Sequence, residues 1–179
     1  MTQVATVYAQ ALYSLARDEG CAEAVLAQLT VLGQSFAQEP DFVRLLSAPN
    51  LSKEERCRIL DDSFRGKLNP YVLNFMKILT EKGYMRHFAE CCKAFRQAYN
   101  QDHGILEVCA VTAVPLTGEQ TVRLTEKLGK VTGKTVDLTN RVDAACLGGV
   151  RLDYDGKQVD DTVSHRLESI AALLKNTVL

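Results

Sequence analysis

The stretch ACLGGVRLDYDGKQVDDTV (145–163) decides how the second half of this chain is read. It offers three readings: a phosphate-cradling loop, an acidic metal loop, or a piece of framework. The pair Gly148-Gly149 is not a G-x-G-x-x-G fingerprint, and it leads into extended sequence rather than a helix. Adjacent glycines in a strand mark a bulge or a close approach of another backbone. VRLDY and KQVDD flank Asp155-Gly156, a strong signal for a two-residue hairpin turn. The acids Asp153, Asp155, Asp160 and Asp161 lack the D-x-[DN]-x-[DN]-G-x5-E order of a calcium loop. Asp155 is turn chemistry, and Asp160 to Thr162 cap a last helix with Val163, Leu167, Ile170, Ala171 and Leu174 on one stripe. Framework is the reading that remains.

Working backward, TVDLTNRV (135–142) reads as a strand, and Thr117 with Gln120 forms a capping box for a helix to about residue 130. ILEVCAVTAV (105–114) is short and rich in β-branched residues, a buried strand ended by Pro115. The segment GKVTGKT (129–135) falls one residue short of the P-loop spacing, and it leaves a helix to enter a strand, the reverse of the P-loop context. It is a helix-to-strand turn.

Before His103-Gly104 the period changes to helical. Helix one covers about 3–18, before Gly20. Helix two carries Val25, Leu29, Leu32 and Phe36 and is stopped by Pro40. A short helix holds Phe42, Leu45 and Leu46 and is broken by APN at 48–50. Ser52 and Glu55 form a capping box for a helix with Cys57, Ile59, Leu60 and Phe64, ending at Gly66. Asn69-Pro70 opens the fifth helix, which runs to Gly83, and the sixth carries Phe88, Cys92, Phe95 and Tyr99. The expected architecture is mostly α: a six-helix bundle over 1–104, then a small α/β domain over 105–179.

The chain has 179 residues, 46% hydrophobic and 24% charged, with a formal net charge of -1. That balance argues against broad binding to nucleic acid or anionic membrane, which needs a basic face. The N-terminus lacks a basic n-region with an apolar core, and no run approaches the roughly 20 apolar residues of a membrane span. A cytoplasmic chain is expected, with its six cysteines reduced. Two ligands, His87 and Cys91, have helical i, i+4 spacing but are too few for structural zinc. His165 with Glu168 reads as a solvated helix face, and no serine or cysteine has a nucleophile signature. No catalytic, cofactor or metal site is expected.

What remains is surface. In helix five, Val72, Phe75, Met76 and Leu79 form the expected core stripe, leaving Tyr71, Asn74 and Ile78 on another face. In helix one, Tyr8, Leu12 and Leu15 form one stripe and Val4, Val7 and Ala11 its neighbour. Both helices carry more apolar surface than one contact requires. Either they are buried on two sides, or they flank a groove floored by Ala11 that accepts a partner's amphipathic helix. Leu173 lies off the main stripe of the last helix.

The segments VYAQALYSLA (7–16), LLSAPNLSKEER (45–56), NFMKILTEKGYM (74–85), VTAVPLTGEQ (111–120) and VDAACLGGVRLDYDGKQVDDTVSHRL (142–167) carry a resemblance over essentially the whole chain. In order and spacing the chain resembles the delta subunit family of bacterial F-type ATP synthase, counterpart of the mitochondrial oligomycin-sensitivity-conferring protein. It departs at Asp160-Asp161-Thr162, where many members have Asp-Gly-Ser, and at Cys146. The resemblance implies a non-catalytic stator that couples proton flow to ATP synthesis, peripheral on the cytoplasmic face of the inner membrane. It implies that the first and fifth helices bind the N-terminal helix of an α subunit through Tyr8, Ala11 and Ile78. It also implies that the C-terminal domain holds the peripheral-stalk b subunits, with Leu173 a candidate contact.

Overall fold

The computed structural model describes residues 2–48 and 51–162. The chain divides into two compact units, Met1–Tyr99 and Asn100–Leu179. It is mostly helical, with a small four-stranded sheet in the second unit.

Among the described residues the first unit has α1 (Gln3–Asp18), α2 (Ala22–Gln38), α3 (Pro40–Leu46), α4 (Lys53–Phe64) and α5 (Pro70–Glu81). A 3-10 turn at Met85–His87 then leads into α6 (Phe88–Asp102). Local chemistry sets several of these ends. Ser52 Oγ accepts from the Glu55 amide (3.1 Å) while Glu55 accepts from the Ser52 amide (2.8 Å), the reciprocal capping box at the start of α4. Asn69 Oδ1 accepts from the Tyr71 amide (2.9 Å), and Pro70 takes the first helical position of α5. Gly83, at φ 73°, then turns the chain out of α5.

One hydrophobic core joins these helices. Val25, Leu29, Leu32 and Phe36 are the buried face of α2, as their spacing predicts. Phe36 anchors an aromatic cluster, its ring 5.4 Å from Phe42, 6.4 Å from Phe64 and 5.1 Å from Phe88. Helix α2 ends at Gln38, just before Pro40, which also takes the first position of α3, where a proline has no amide to lose. Two expectations need correction. The α6 stripe is Phe88, Cys91 and Phe95, with Cys92 only half-buried. The core face of α1 is Ala5, Ala9, Leu12, Tyr13 and Ala16; Tyr8 only leans on it, half-buried, and Leu15 faces outward.

In the second unit, β1 (Ile105–Thr112), α7 (Gly118–Thr132) and β2 (Thr135–Val142) form a parallel crossover, and β3 (Val150–Tyr154) and β4 (Lys157–Asp160) form the hairpin. The strand order is β2-β1-β3-β4. The register sets Leu106 beside Val136, Val108 beside Leu138 and Ala110 beside Leu152, which gathers one apolar face under α7. Thr117 and Gln120 cap α7 reciprocally, and Gly133 ends it in the left-handed region at φ 68°.

The opening stretch resolves as framework. Asp155 (φ 46°) and Gly156 (φ 72°) are both left-handed, the geometry of the tight hairpin turn their sequence signals. Gly148 and Gly149 lie just before β3 rather than inside it. Gly149, at φ 81°, leaves room for the returning chain: a Cβ there would sit 2.5 Å from the Asp161 carbonyl oxygen. Asp160 Oδ1 accepts from the Thr162 amide (2.9 Å) and hydroxyl (2.7 Å), so this acid is turn chemistry. The expected final helix lies outside the described residues.

Candidate partner-binding face

Among the described residues no group of three or more His, Cys, Asp or Glu side chains could hold a metal ion. Cys91 lies in the hydrophobic core, whereas His87 is half-buried with Nδ1 3.4 Å from Glu90 Oε1. Burial pushes the Cys91 thiol up to about 11 and the Cys92 thiol up to about 12, which keeps both protonated and unreactive. Asp143, Asp155 and Asp160 serve turns. None of these groups assembles a reaction centre.

The surface does gather a feature on α1 and α5. The two helices pack side by side and run antiparallel. At one end the Tyr8 ring lies 5.9 Å from Tyr84, just past α5. At the other, the Tyr71 hydroxyl near the start of α5 faces the Glu19 carboxylate just past α1. Burial first and this acceptor second raise the Tyr71 pKa.

The inner face of α1 takes Ala5, Ala9, Leu12, Tyr13 and Ala16, and other apolar residues of the helix are left outward. Val7 is 58% exposed and Leu15 41%, Ala11 is exposed, and Val4 and Tyr8 are half-buried. Positions 4, 7, 8, 11 and 15 follow helical spacing, so they make one continuous outward strip. On α5, Ile78 and Tyr71 are half-buried and Asn74 is exposed. Tyr71 leans on the core, whereas Ile78 stands outside the core cluster.

The strip carries no charge. Helix α1 has no charged side chain before Arg17. In α5 the only charges are Lys77 and Glu81, and Lys77 Nζ is drawn to Asp61 of α4 at 2.6 Å. Solvent-facing helices ordinarily carry charges, and depletion of charge marks the centre of protein interfaces. Tyr8, Ala11 and Ile78 therefore lie on two neighbouring helices and all reach the surface. The helix-one spacing had singled out Val7 and Leu15 as apolar surplus, whereas nothing in it signalled that Tyr84 stacks beside Tyr8. Leu173 lies outside the described residues.

An outward apolar strip without charge is the kind of surface by which one protein meets another. The family description "ATP synthase delta (OSCP) subunit" matches residues 4–174. Among similar proteins, ATP synthase subunit delta of Lactobacillus gasseri is 32% identical over 94% of this chain and 92% of its own length. ATP synthase subunit delta of Alkaliphilus oremlandii is 28% identical over 96% of each. A chain in the cryo-EM structure of the Toxoplasma gondii mitochondrial ATP synthase hexamer shares the fold, with a TM-score of 0.77, at 19% identity over 97% of this chain and 98% of its own. The chain belongs to the ATP synthase delta (OSCP) subunit family, a structural, non-catalytic component of the peripheral stalk of F-type ATP synthase. No helix among the described residues is long and apolar enough to cross a membrane.

Proposed function

We propose that α1 to α6 act as a six-helix bundle that grips the N-terminal helix of an ATP synthase α subunit along the α1–α5 strip. Residues 1–104 then serve the catalytic head, and residues 105–179 hold the ends of the peripheral-stalk b subunits, with Leu173 a contact. The chain works on the cytoplasmic face of the bacterial inner membrane and resists the torque that proton flow places on the head.

The observation that carries this reading is the charge-free outward strip of Val4, Val7, Tyr8, Ala11 and Leu15 beside Ile78. An amphipathic helix laid there buries its apolar face at roughly 25 cal/mol per Å2 of apolar surface. Small Ala11 lets the partner backbone come close, while Tyr8 and Ile78 supply walls.

The test is calorimetric titration with a peptide matching the cognate α-subunit N-terminus. Ile78→Asp introduces a charge that binding must desolvate, so affinity falls by about 100-fold or more. Ile78 stands outside the core, so the melting temperature of that variant stays near the parent's. Unchanged binding by Ile78→Asp rejects this assignment of the face.

A further inference from the structure

The N-terminal end of the strip is held in an unusual way. Thr2 is the N-cap of α1, yet its hydroxyl makes no bond to the helix's own amides. Instead the Thr2 amide and hydroxyl both donate to Glu90 Oε2 of α6, at 2.7 and 2.9 Å. A threonine at this position ordinarily turns its oxygen back onto the second or third amide of its own helix. Here that local cap is given up for a tie to another helix.

The surroundings build the same tie further. Glu90 Oε1 lies 3.4 Å from His87 Nδ1, and Arg86 Nε donates to His87 Nε2 at 3.2 Å. A ring nitrogen that accepts from Arg86 leaves the ring proton on Nδ1, so His87 donates to Glu90. The His87 ring also lies 6.5 Å from Tyr84, whose other neighbour is Tyr8 on the strip. Helix α1 has no acid in its own first turn. The Glu90 carboxylate therefore supplies the negative charge that a helix N-terminus favours.

We propose that Glu90 is a positioning residue for the α1–α5 face: its carboxylate latches Thr2 and so holds the first turn of α1, with Val4, Val7 and Tyr8, in place for an incoming helix. The physical need is plain. The first turn of a helix has amides with no intrahelical partner and frays unless something holds it. Two of the strip's apolar residues, Val4 and Val7, lie within or just beyond that turn, and Val7 is largely solvent-exposed. Burial of Val7 therefore contributes little to holding the turn before a partner arrives. A partner helix meeting a frayed turn binds only the ordered fraction, and its apparent affinity drops by that fraction. This role rests on the docking reading of the same face.

The test uses the full chain and the α-subunit N-terminal peptide. Glu90→Gln removes the charge, and Thr2→Val removes the hydroxyl while keeping the amide. Each weakens peptide binding, Glu90→Gln by about tenfold if the ordered fraction of the turn falls to about a tenth. Amide exchange in residues 3–8 speeds up by a similar factor, while exchange in α2 and α5 stays at the parent rate. Thr2→Ser keeps both donors and restores binding and exchange. The double variant loses less than the sum of the two single losses, because both act on one contact. If Glu90→Gln binds like the parent, or weakens binding only by loosening the whole helical unit, the latch is wrong while the docking face stands. If the parent itself does not bind the peptide, the docking reading fails and the positioning role fails with it.

Discussion

Two single residues have consequences that can be measured. Thr80 is fully buried in the first unit, and its hydroxyl has no hydrogen-bond partner among the described residues. It sits four residues after Met76, so it shares the core face of α5 and carries an uncompensated polar group there. Thr80→Val removes that group at nearly constant shape and stabilises the chain by about 1 kcal/mol, read as a rise in melting temperature. A fall in melting temperature would show that the hydroxyl is satisfied. Glu90 is the second case. The Thr2 amide, then the Thr2 hydroxyl and His87, hold its carboxyl down to about 2 from 4.5. A depressed carboxyl contributes stability above its unfolded value and loses it as pH falls toward its folded value. Denaturant titrations between pH 4.5 and about 2 therefore show a shallower loss of stability for Glu90→Gln than for the parent. Equal slopes would mean that the Thr2 contact does not persist in solution. Sequence spacing gave no sign of either residue, since one is a polar side chain inside an apolar stripe and the other bonds across 88 positions.

At the scale of elements, the parts legible in the sequence are those set by local chemistry. Both capping boxes, the Asn69-Pro70 start of α5 and the Asp155-Gly156 turn fall where the residues place them. Each depends on bonds within a few positions, so no knowledge of packing is needed. Helix α4 depends on its cap more than its neighbours do, because Leu60 is its only residue in the buried core. Ser52→Ala therefore costs about 1 kcal/mol in the stability of the first unit, measured by urea unfolding. No loss would mean that Arg56, which donates to the Ser52 and Leu46 carbonyls, holds that end alone. The face of α1 was not legible, for a physical reason. Ranking faces by hydrophobicity favours Tyr8, Leu12 and Leu15, but close helix packing favours small side chains. Ala5, Ala9 and Ala16 go inside with Leu12 and Tyr13, and Val7 and Leu15 are left facing outward. The outward residues were visible as apolar surplus, while the direction they face was fixed by the core residues opposite. The adjacent Cys91 and Cys92 show a similar limit, since only packing decides which of two neighbouring thiols turns inward.

On the scale of the whole molecule, a stator subunit is judged by what fails when it lets go. If the α1–α5 face holds the head, a synthase carrying Ile78→Asp still hydrolyses ATP but pumps protons poorly, because the head turns against a loosened stalk. ATP-driven acidification of inverted vesicles reads this directly, and full pumping by the variant would place the head attachment elsewhere. The strand order has a consequence of another kind, in the sequence of events during synthesis. Strand β1 leaves the ribosome first of the four yet lies inside the sheet, between β2 and β3. Ile105 must wait for Thr135, and Thr112 for Val150, before both edges of ILEVCAVT are covered. Until then a short, β-branched, apolar segment with one charge, Glu107, is open to pairing with any other nascent chain. The exposed interval for this segment lasts from the emergence of β1 until the β3–β4 hairpin pairs with it.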